Sequence, residues 1–248
     1  MTAFKDHFSN VAEVYNTYRP SYPKTLFDTL SQLSKNHEHA WDAGCGNGQA
    51  SVVLAEYFDH VTATDASANQ IDAAPQHPKI SFITAPAEKA PLEENSVDFI
   101  LIAQALHWFD FDAFFAEVQR VGRPGGIIAA MAYEIFHSTP EIDAIVAEFY
   151  EGDIGPYWPP ERVHIEGGYD NIDFPFEEIS LPRFEMHVDW SLDEVMGYFS
   201  TWSAVNRYKA ASGKDPLIDV EQKLAKVWGE REKKHRITWP IVLKVARL

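Results

Sequence analysis

The stretch His39-Ala40-Trp41-Asp42-Ala43-Gly44-Cys45-Gly46-Asn47-Gly48 restricts the fold of this 248-residue chain more than any other. Short apolar residues lead into an acid, glycines then occupy alternate positions, and the run from Gln49 to Tyr57 has helical character. A glycine has no Cβ, so it can take positive φ and let the backbone approach a ligand, while the first N–H groups of the following helix have no partner within that helix. The pattern predicts a buried strand that turns sharply into a helix beside a nucleotide-type cofactor; an ordinary glycine turn is the alternative. A dinucleotide fingerprint would read G-x-G-x-x-G and seat a pyrophosphate on the helix N-terminus. Here Gly44, Gly46 and Gly48 are evenly spaced and position 49 is Gln. Asp42, two residues before the first glycine, would repel a pyrophosphate and attract an ammonium, so the expected ligand is zwitterionic and cationic.

The rest of the chain supplies a matching rhythm. Apolar residues from Phe4 to Tyr18 recur at helical spacing up to Arg19, just before Pro20, and a second helix follows through Leu26, Phe27, Leu30 and Leu33. His60 to Thr64 reads as strand two, ending in Asp65, and Ser67-Ala68-Asn69-Gln70 has capping-box spacing. Strands are expected at Ile80 to Thr84 and, as a run apolar but for Asp98 and buried on both faces, at Val97 to Ala103. A helix from Asp112 to Val121, a turn at Arg123-Pro124-Gly125-Gly126 and a fifth strand over Ile127 to Ala132 complete the alternation. That order predicts a doubly wound α/β fold with ligands at the carboxyl ends of its strands.

Past Glu134 the rhythm changes. Thr139 caps a helix running to about Tyr150, a proline-, glycine- and aromatic-rich segment reaches Pro175, and Phe176 to Asp189 reads as a strand. Ser191-Leu192-Asp193-Glu194 is a capping box, Asp215-Pro216 opens a helix to Trp228, and Ile237 to Leu248 reads as a last strand interrupted at Pro240. The expected organisation is a single domain over 1–248. It comprises N-terminal lid helices over 1–37, a cofactor-binding core over 38–135, helical insertions over 136–175 and 190–234, and terminal strands over 176–189 and 235–248.

Charge narrows the partners. With 37 acidic and 21 basic residues the net charge is −16, which opposes sequence-independent binding to nucleic-acid backbones. Cys45 is the one cysteine, so no intrachain disulfide can form. Small residues suit such a turn, and no base close in sequence marks Cys45 as a nucleophile. No signal pattern opens the chain and no apolar run is long enough to span a bilayer, so a cytoplasmic protein without membrane contact is expected.

The glycine run resembles motif I of the class I S-adenosylmethionine-dependent methyltransferases. Ala103-Gln104-Ala105-Leu106-His107-Trp108 is similar to the stretch after strand four of the type 11 methyltransferase domain, and Val118-Gln119-Arg120-Val121 with Pro124-Gly125-Gly126 is similar to that family's approach to strand five. The resemblance covers roughly residues 4 to 132 and implies a Rossmann-like, mostly parallel seven-stranded sheet with helical lid insertions. It implies S-adenosyl-L-methionine as cofactor, held by Asp42, Ala43, Gly44, Gly46, Asp65, Ala66, Ala87, Glu88 and Gln104, and no metal. Asp65 would accept both ribose hydroxyls or simply cap the next helix. Ala87 and Glu88 would read adenine, although Pro86 stands where the family often has an acid. Tyr18-Arg19-Pro20-Ser21-Tyr22-Pro23 and Tyr198-Phe199-Ser200-Thr201-Trp202-Ser203-Ala204-Val205 look like the trans-aconitate methyltransferase-like group, which implies a small carboxylic acid as acceptor. Arg19, and less directly Arg207, would then hold a carboxylate, while His107 would orient a substrate oxygen, take a proton or serve the core. A non-catalytic cofactor-binding protein is the alternative, and Gln49 and Asp42 argue against a nicotinamide oxidoreductase.

Overall fold

A computed structural model describes residues 18–248. Apart from Tyr18, the N-terminal helix expected over Phe4 to Tyr18 lies outside the described residues. Eight strands follow in order: β1 (His39–Ala43), β2 (His60–Asp65), β3 (Ile80–Thr84), β4 (Val97–Ala103), β5 (Gly122–Tyr133), β6 (Glu177–Glu178), β7 (Glu185–Trp190) and β8 (His235–Arg247). The first five are parallel, and seven strands form one path ordered β3-β2-β1-β4-β5-β8-β6. β8 runs antiparallel to β5, β6 and β7. The chain winds outward from β1 in both directions, so the crevice between the carboxyl ends of β1 and β4 is the topological switch point at which such sheets bind ligands.

Alternation along the central strands explains why both faces are covered. Phe99 and Leu101 of β4, with Ile127, Ala129 and Met131 of β5, face one side and pack with Leu26, Phe27 and Leu30 of the helix Lys24–Leu33. Ile100 and Ile102, with Ile128 and Ala130, face the other side and pack with Trp41 and with Phe114, Phe115 and Val118 of the helix Phe111–Val121. Successive side chains on a strand point to opposite faces, so an apolar run such as Phe99–Ala103 is stable only where both faces are dry, and the one charge in the strand, Asp98, is buried against Arg123 at 2.8 Å. Fully burying each of the Leu, Ile, Val, Phe and Met side chains among these is worth about 1.5–3 kcal/mol.

A third apolar cluster joins the helices Pro140–Ala147, Leu192–Ser200, Ser203–Ser212 and Leu217–Trp228 to the first half of β8, through Phe136, Phe149, Phe199, Trp202, Trp228 and Trp239. Thr139 caps the first of these helices and Ser191 forms the expected capping box with Glu194. The first does not simply stop near Tyr150: after Ala147 it continues as a π-helix over Glu148–Asp153.

Four further expectations change in detail. Residues 176–189 do not form one strand; β6 and β7 are separated by a segment containing Pro182, whose missing N–H suits an interruption of pairing. β8 is continuous through Pro240, which is where it exchanges partners: Pro240 pairs with Glu185 of β7 and Ile241 with Tyr133 of β5. Its carbonyl still accepts from Glu134 N–H at 3.2 Å, so the proline costs the sheet only a donor. The turn at 123–126 lies within β5 as a bulge, the register passing from Val97↔Gly122 to Phe99↔Ile127. Ser67 is the N-cap of the helix Ala68–Asp72 but makes no side-chain cap bond, so the capping-box spacing there is not used.

Candidate functional site

Parallel strands end on one edge, and that edge gathers the residues expected to meet a cofactor. The loop after β1 is pinned to β2 by Gly44 N–H and Cys45 N–H, which both donate to the Thr64 carbonyl at 2.8 and 2.9 Å. Gly44 has φ +71°, and a Cβ there would lie 2.5 Å from the Ala105 methyl; Gly48 has φ +87° and would collide with Phe82 at the same distance. Both positions therefore need glycine for conformation and for packing. At the end of β2 the Asp65 carboxylate accepts from Gly46 N–H at 2.9 Å and from Ser67 N–H at 2.8 Å, which fixes its orientation beside the loop. A carboxylate oxygen has a second acceptor site, so a diol can still be received. The next residue, Ala66, is exposed. In the turn after β3, Ala87 is buried, and one oxygen of Glu88 accepts from Asp110 N–H at 3.0 Å.

Ala43 and Asp42 are both fully buried. One Asp42 oxygen accepts from the Ser51 hydroxyl at 2.6 Å, while Oδ1 has no partner among the described residues. Burial pushes the Asp42 carboxyl up to about 7; the Ser51 bond opposes the shift, and the neighbouring Asp65 charge adds to it. A buried, half-satisfied carboxyl under a glycine turn, with an oriented acid at the next strand end, fits a ligand that carries both an ammonium and a ribose. Cys45 donates to the Gly46 carbonyl at 3.3 Å, and burial, with Asp42 and Asp65 beside it, drives its thiol upward. It is packing, not a nucleophile.

Beside this edge opens a cleft of about 610 Å³, its open mouth included. Gln104, His107 and Trp108 from the turn after β4 form one wall, and Arg19, Tyr133, Tyr198, Trp202 and Ser203 form another. Trp158, Pro159, Arg162 and Ile165 close the third side. Gln104 adopts φ +58°, uncommon for a residue with a side chain, and its buried Nε2 has no hydrogen-bond partner among the described residues.

The cleft brings together Arg19 and His107, which are 88 positions apart in sequence. The Arg19 guanidinium donates to the Tyr133 hydroxyl at 2.5 Å and to the Thr201 carbonyl at 3.5 Å, and lies 5.2 Å from the Tyr198 ring centroid. The two segments that resemble the trans-aconitate group thus meet through Arg19 and Thr201. His107 is buried, 3.5 Å from the Tyr169 hydroxyl, and burial, with Arg162 and His164 nearby, lowers its imidazole to about 3. The ring is neutral at any ordinary pH and is a weak base.

Arg207 does not line the cleft, whereas Arg162 does. Sequence reasoning did not single out Arg162, Trp158 or Tyr133. The available signal was the aromatic and proline-rich segment Tyr157-Trp158-Pro159-Pro160-Glu161-Arg162, which carries one cation among rings.

Comparison with known proteins agrees with this geometry. Residues 41–130 match a family described as "Methyltransferase domain". The chain is 32% identical over 231 residues to a Dictyostelium discoideum protein named "Putative methyltransferase", covering 92% of this chain and 88% of that one. The solved structure of a "Putative Type II Methyltransferase" from Anaeromyxobacter dehalogenans is 44% identical, with a TM-score of 0.87 over 93% of this chain and 98% of that chain. A more distant relative, the malonyl-(acyl-carrier protein) O-methyltransferase of Serratia marcescens, is 30% identical over 125 residues, 49% of each chain.

Proposed function

The chain belongs to the class I S-adenosylmethionine-dependent methyltransferases, and on that premise we propose that it methylates a carboxylate oxygen of a small organic acid. One observation carries this reading. In a chain with 37 acidic and 21 basic residues, the cleft beside the cofactor edge is lined, among the described residues, by two arginines and by no Asp or Glu. An anion is attracted into such a cleft, and a cationic amine is not. The relative named as a malonyl-(acyl-carrier protein) O-methyltransferase supports an oxygen acceptor, and the resemblance to the trans-aconitate methyltransferase-like group supports a free acid.

When bound, S-adenosylmethionine supplies an electrophilic methyl on a sulfonium, whose transfer to a carboxylate oxygen breaks the carbon–sulfur bond, leaves a neutral thioether and releases no proton. The chain's own residues then have three tasks. Asp42 and Asp65 hold the cofactor by charge and by the ribose hydroxyls, with Ala43, Gly44, Gly46 and Ala66 giving backbone access and Ala87 and Glu88 the adenine side. Gln104 and the neutral His107 orient the accepting carboxylate without protonating it, and Arg19 screens its charge. The aromatic walls exclude water, which otherwise solvates the nucleophile. A carboxylate is ionised near pH 7, so no general base is required, and alignment of the reacting atoms can be worth about 7–11 kcal/mol. On this reading, the insertions 136–175 and 190–234 form a lid over the core at 38–135, whereas the helix Lys24–Leu33, expected in the lid, packs on the sheet as part of the core.

The test is methyl incorporation from labelled cofactor into a panel of dicarboxylic and tricarboxylic acids, a phenol and an amine. Base-labile methyl esters of an acid are the expected products. A phenol or amine accepted in preference would overturn the proposal.

A further inference from the structure

The two cleft arginines differ in what their charge is free to do. Both terminal nitrogens of Arg19 already donate, to Tyr133 and to Thr201. Arg162 is held from behind instead. Its Nε donates to the Tyr150 hydroxyl and lies 3.6 Å from Glu166 Oε1, and its guanidinium stacks 4.2 Å from the Trp158 centroid and 5.1 Å from that of Tyr150. Tyr150 also donates to Glu166 at 2.6 Å, and the π-helix Glu148–Asp153 carries Tyr150 into this position. π-turns of this kind are often found at functional sites. Among the described residues, Nη1 and Nη2 of Arg162 make no hydrogen bond, although its side chain is only 22% exposed and lines the cleft. A guanidinium whose plane is fixed by two rings and whose far edge is unpartnered presents the fork that matches a carboxylate.

Resting on the carboxylate-methylation reading above, we propose that Arg162 receives the second, unmethylated carboxylate of a diacid and is the residue that makes the enzyme prefer diacids to monoacids. The division of labour follows from chemistry. A strong bidentate grip on the accepting carboxylate would withdraw electron density from the attacking oxygen, so the firm grip belongs on the other end of the substrate. The accepting end lies toward the turn after β4, where Gln104 and neutral His107 offer weaker, uncharged contacts. Arg162 lines the same cleft from the insertion and is close enough for its charge to help keep His107 unprotonated. Trp158 and Tyr150 make Arg162 rigid, so little rotamer freedom is lost when it binds.

The experiment compares wild type with Arg162→Gln and Arg162→Lys on straight-chain diacids and monoacids of matched length, after thermal melts show that each variant folds. Two readouts are taken: kcat/KM for methylation, and binding of the same acids by calorimetry to the complex with the demethylated cofactor. The diacid-over-monoacid ratio should fall about tenfold or more in Arg162→Gln, as expected for losing a charge-assisted bidentate contact. Arg162→Lys should recover part of it, and cofactor affinity should hold in both. Equal losses for diacid and monoacid, or an unchanged ratio, would overturn the inference, as would absence of diacid binding by wild type. If diacids bind in an Arg162-dependent way and none is methylated, the functional reading fails and the role of Arg162 stands. If acids are methylated with an unchanged ratio, the reverse holds.

Discussion

Replacing Asp42 by Asn should stabilise the protein while weakening its hold on the cofactor. Asp42 is completely buried, and its carboxyl is raised from 3.8 to about 7, chiefly by burial. A shift of about 3 units corresponds to about 4 kcal/mol of destabilisation once pH exceeds 7. Because the folded-state pKa lies above the unfolded one, the protonated carboxyl supports the fold at low pH, and that support is lost as pH rises from 3.8 to about 7. An asparagine is neutral throughout and can still accept from Ser51, which now donates to Oδ2 at 2.6 Å. Its amide nitrogen would occupy a place where Oδ1 already has no partner, so the substitution adds no new class of unsatisfied group. The variant should therefore gain about 1–3 kcal/mol over wild type at pH 8, or about 2–10 °C in melting temperature for a chain of this size. Its advantage should widen by about 2–3 kcal/mol between pH 5 and pH 8. Cofactor affinity should move oppositely. Wild type should bind S-adenosylmethionine more tightly as pH rises through 7 and Asp42 ionises, whereas the variant should bind weakly with no such rise. Melting curves and calorimetry at pH 5, 6, 7 and 8 test both. A variant less stable than wild type at pH 8, or one that keeps the wild-type pH dependence of binding, would refute the reasoning.

Three other outcomes follow from named contacts. Asp65→Ala removes the acceptor that Gly46 N–H and Ser67 N–H now orient, and should weaken S-adenosylmethionine binding about tenfold or more by calorimetry; equal affinity would remove Asp65 from the ribose site. Gly197→Ala would ordinarily strengthen the helix Leu192–Ser200 by about 1 kcal/mol, but a Cβ there meets the Tyr18 ring at 2.5 Å, so the substitution should displace Tyr18 and the adjacent Arg19. It should raise the acceptor KM and leave cofactor affinity intact, and an unchanged KM would separate the Tyr18 contact from the site. His107→Ala should leave partial activity, because an imidazole lowered to about 3 orients and does not deprotonate; complete loss in a folded variant would make it the base.

Much of the central sheet could be read because its local and global signals coincide. Val97–Ala103 is apolar apart from Asp98, which is paired with Arg123, and is buried on both faces, and Gly44 and Gly48 stand where neighbouring side chains exclude any Cβ. The later half was harder because its elements are defined by partners distant in sequence. β8 is one strand only because β7 pairs with its first part and β5 with its second, and a lone Pro240 cannot reveal that exchange. Likewise 176–189 reads as extended, yet the ladder breaks around Pro182, between the bonds of Ile179 and Phe184 to β8. In the candidate site, Arg19 and His107 stand out by their flanking motifs, and packing brings them to one cleft. Arg162 sits in a segment without periodicity, and only its stacking on Trp158 and Tyr150 shows which edge of the guanidinium is left open. Asp42 could be marked as a cofactor residue from its spacing to Gly44, but its complete burial and raised carboxyl depend on the packing around it and on Asp65, with the Ser51 bond opposing the shift.

The most direct test of carboxylate methylation without a base is the pH profile of methyl ester formation between pH 6 and 9, at saturating cofactor and with the best acid acceptor. A carboxylate is fully ionised across that window, and His107, lowered to about 3, does not titrate in it, so the turnover number should be flat. A turnover number that climbs with pH through the loss of one proton, and loses that dependence in His107→Ala, would contradict it.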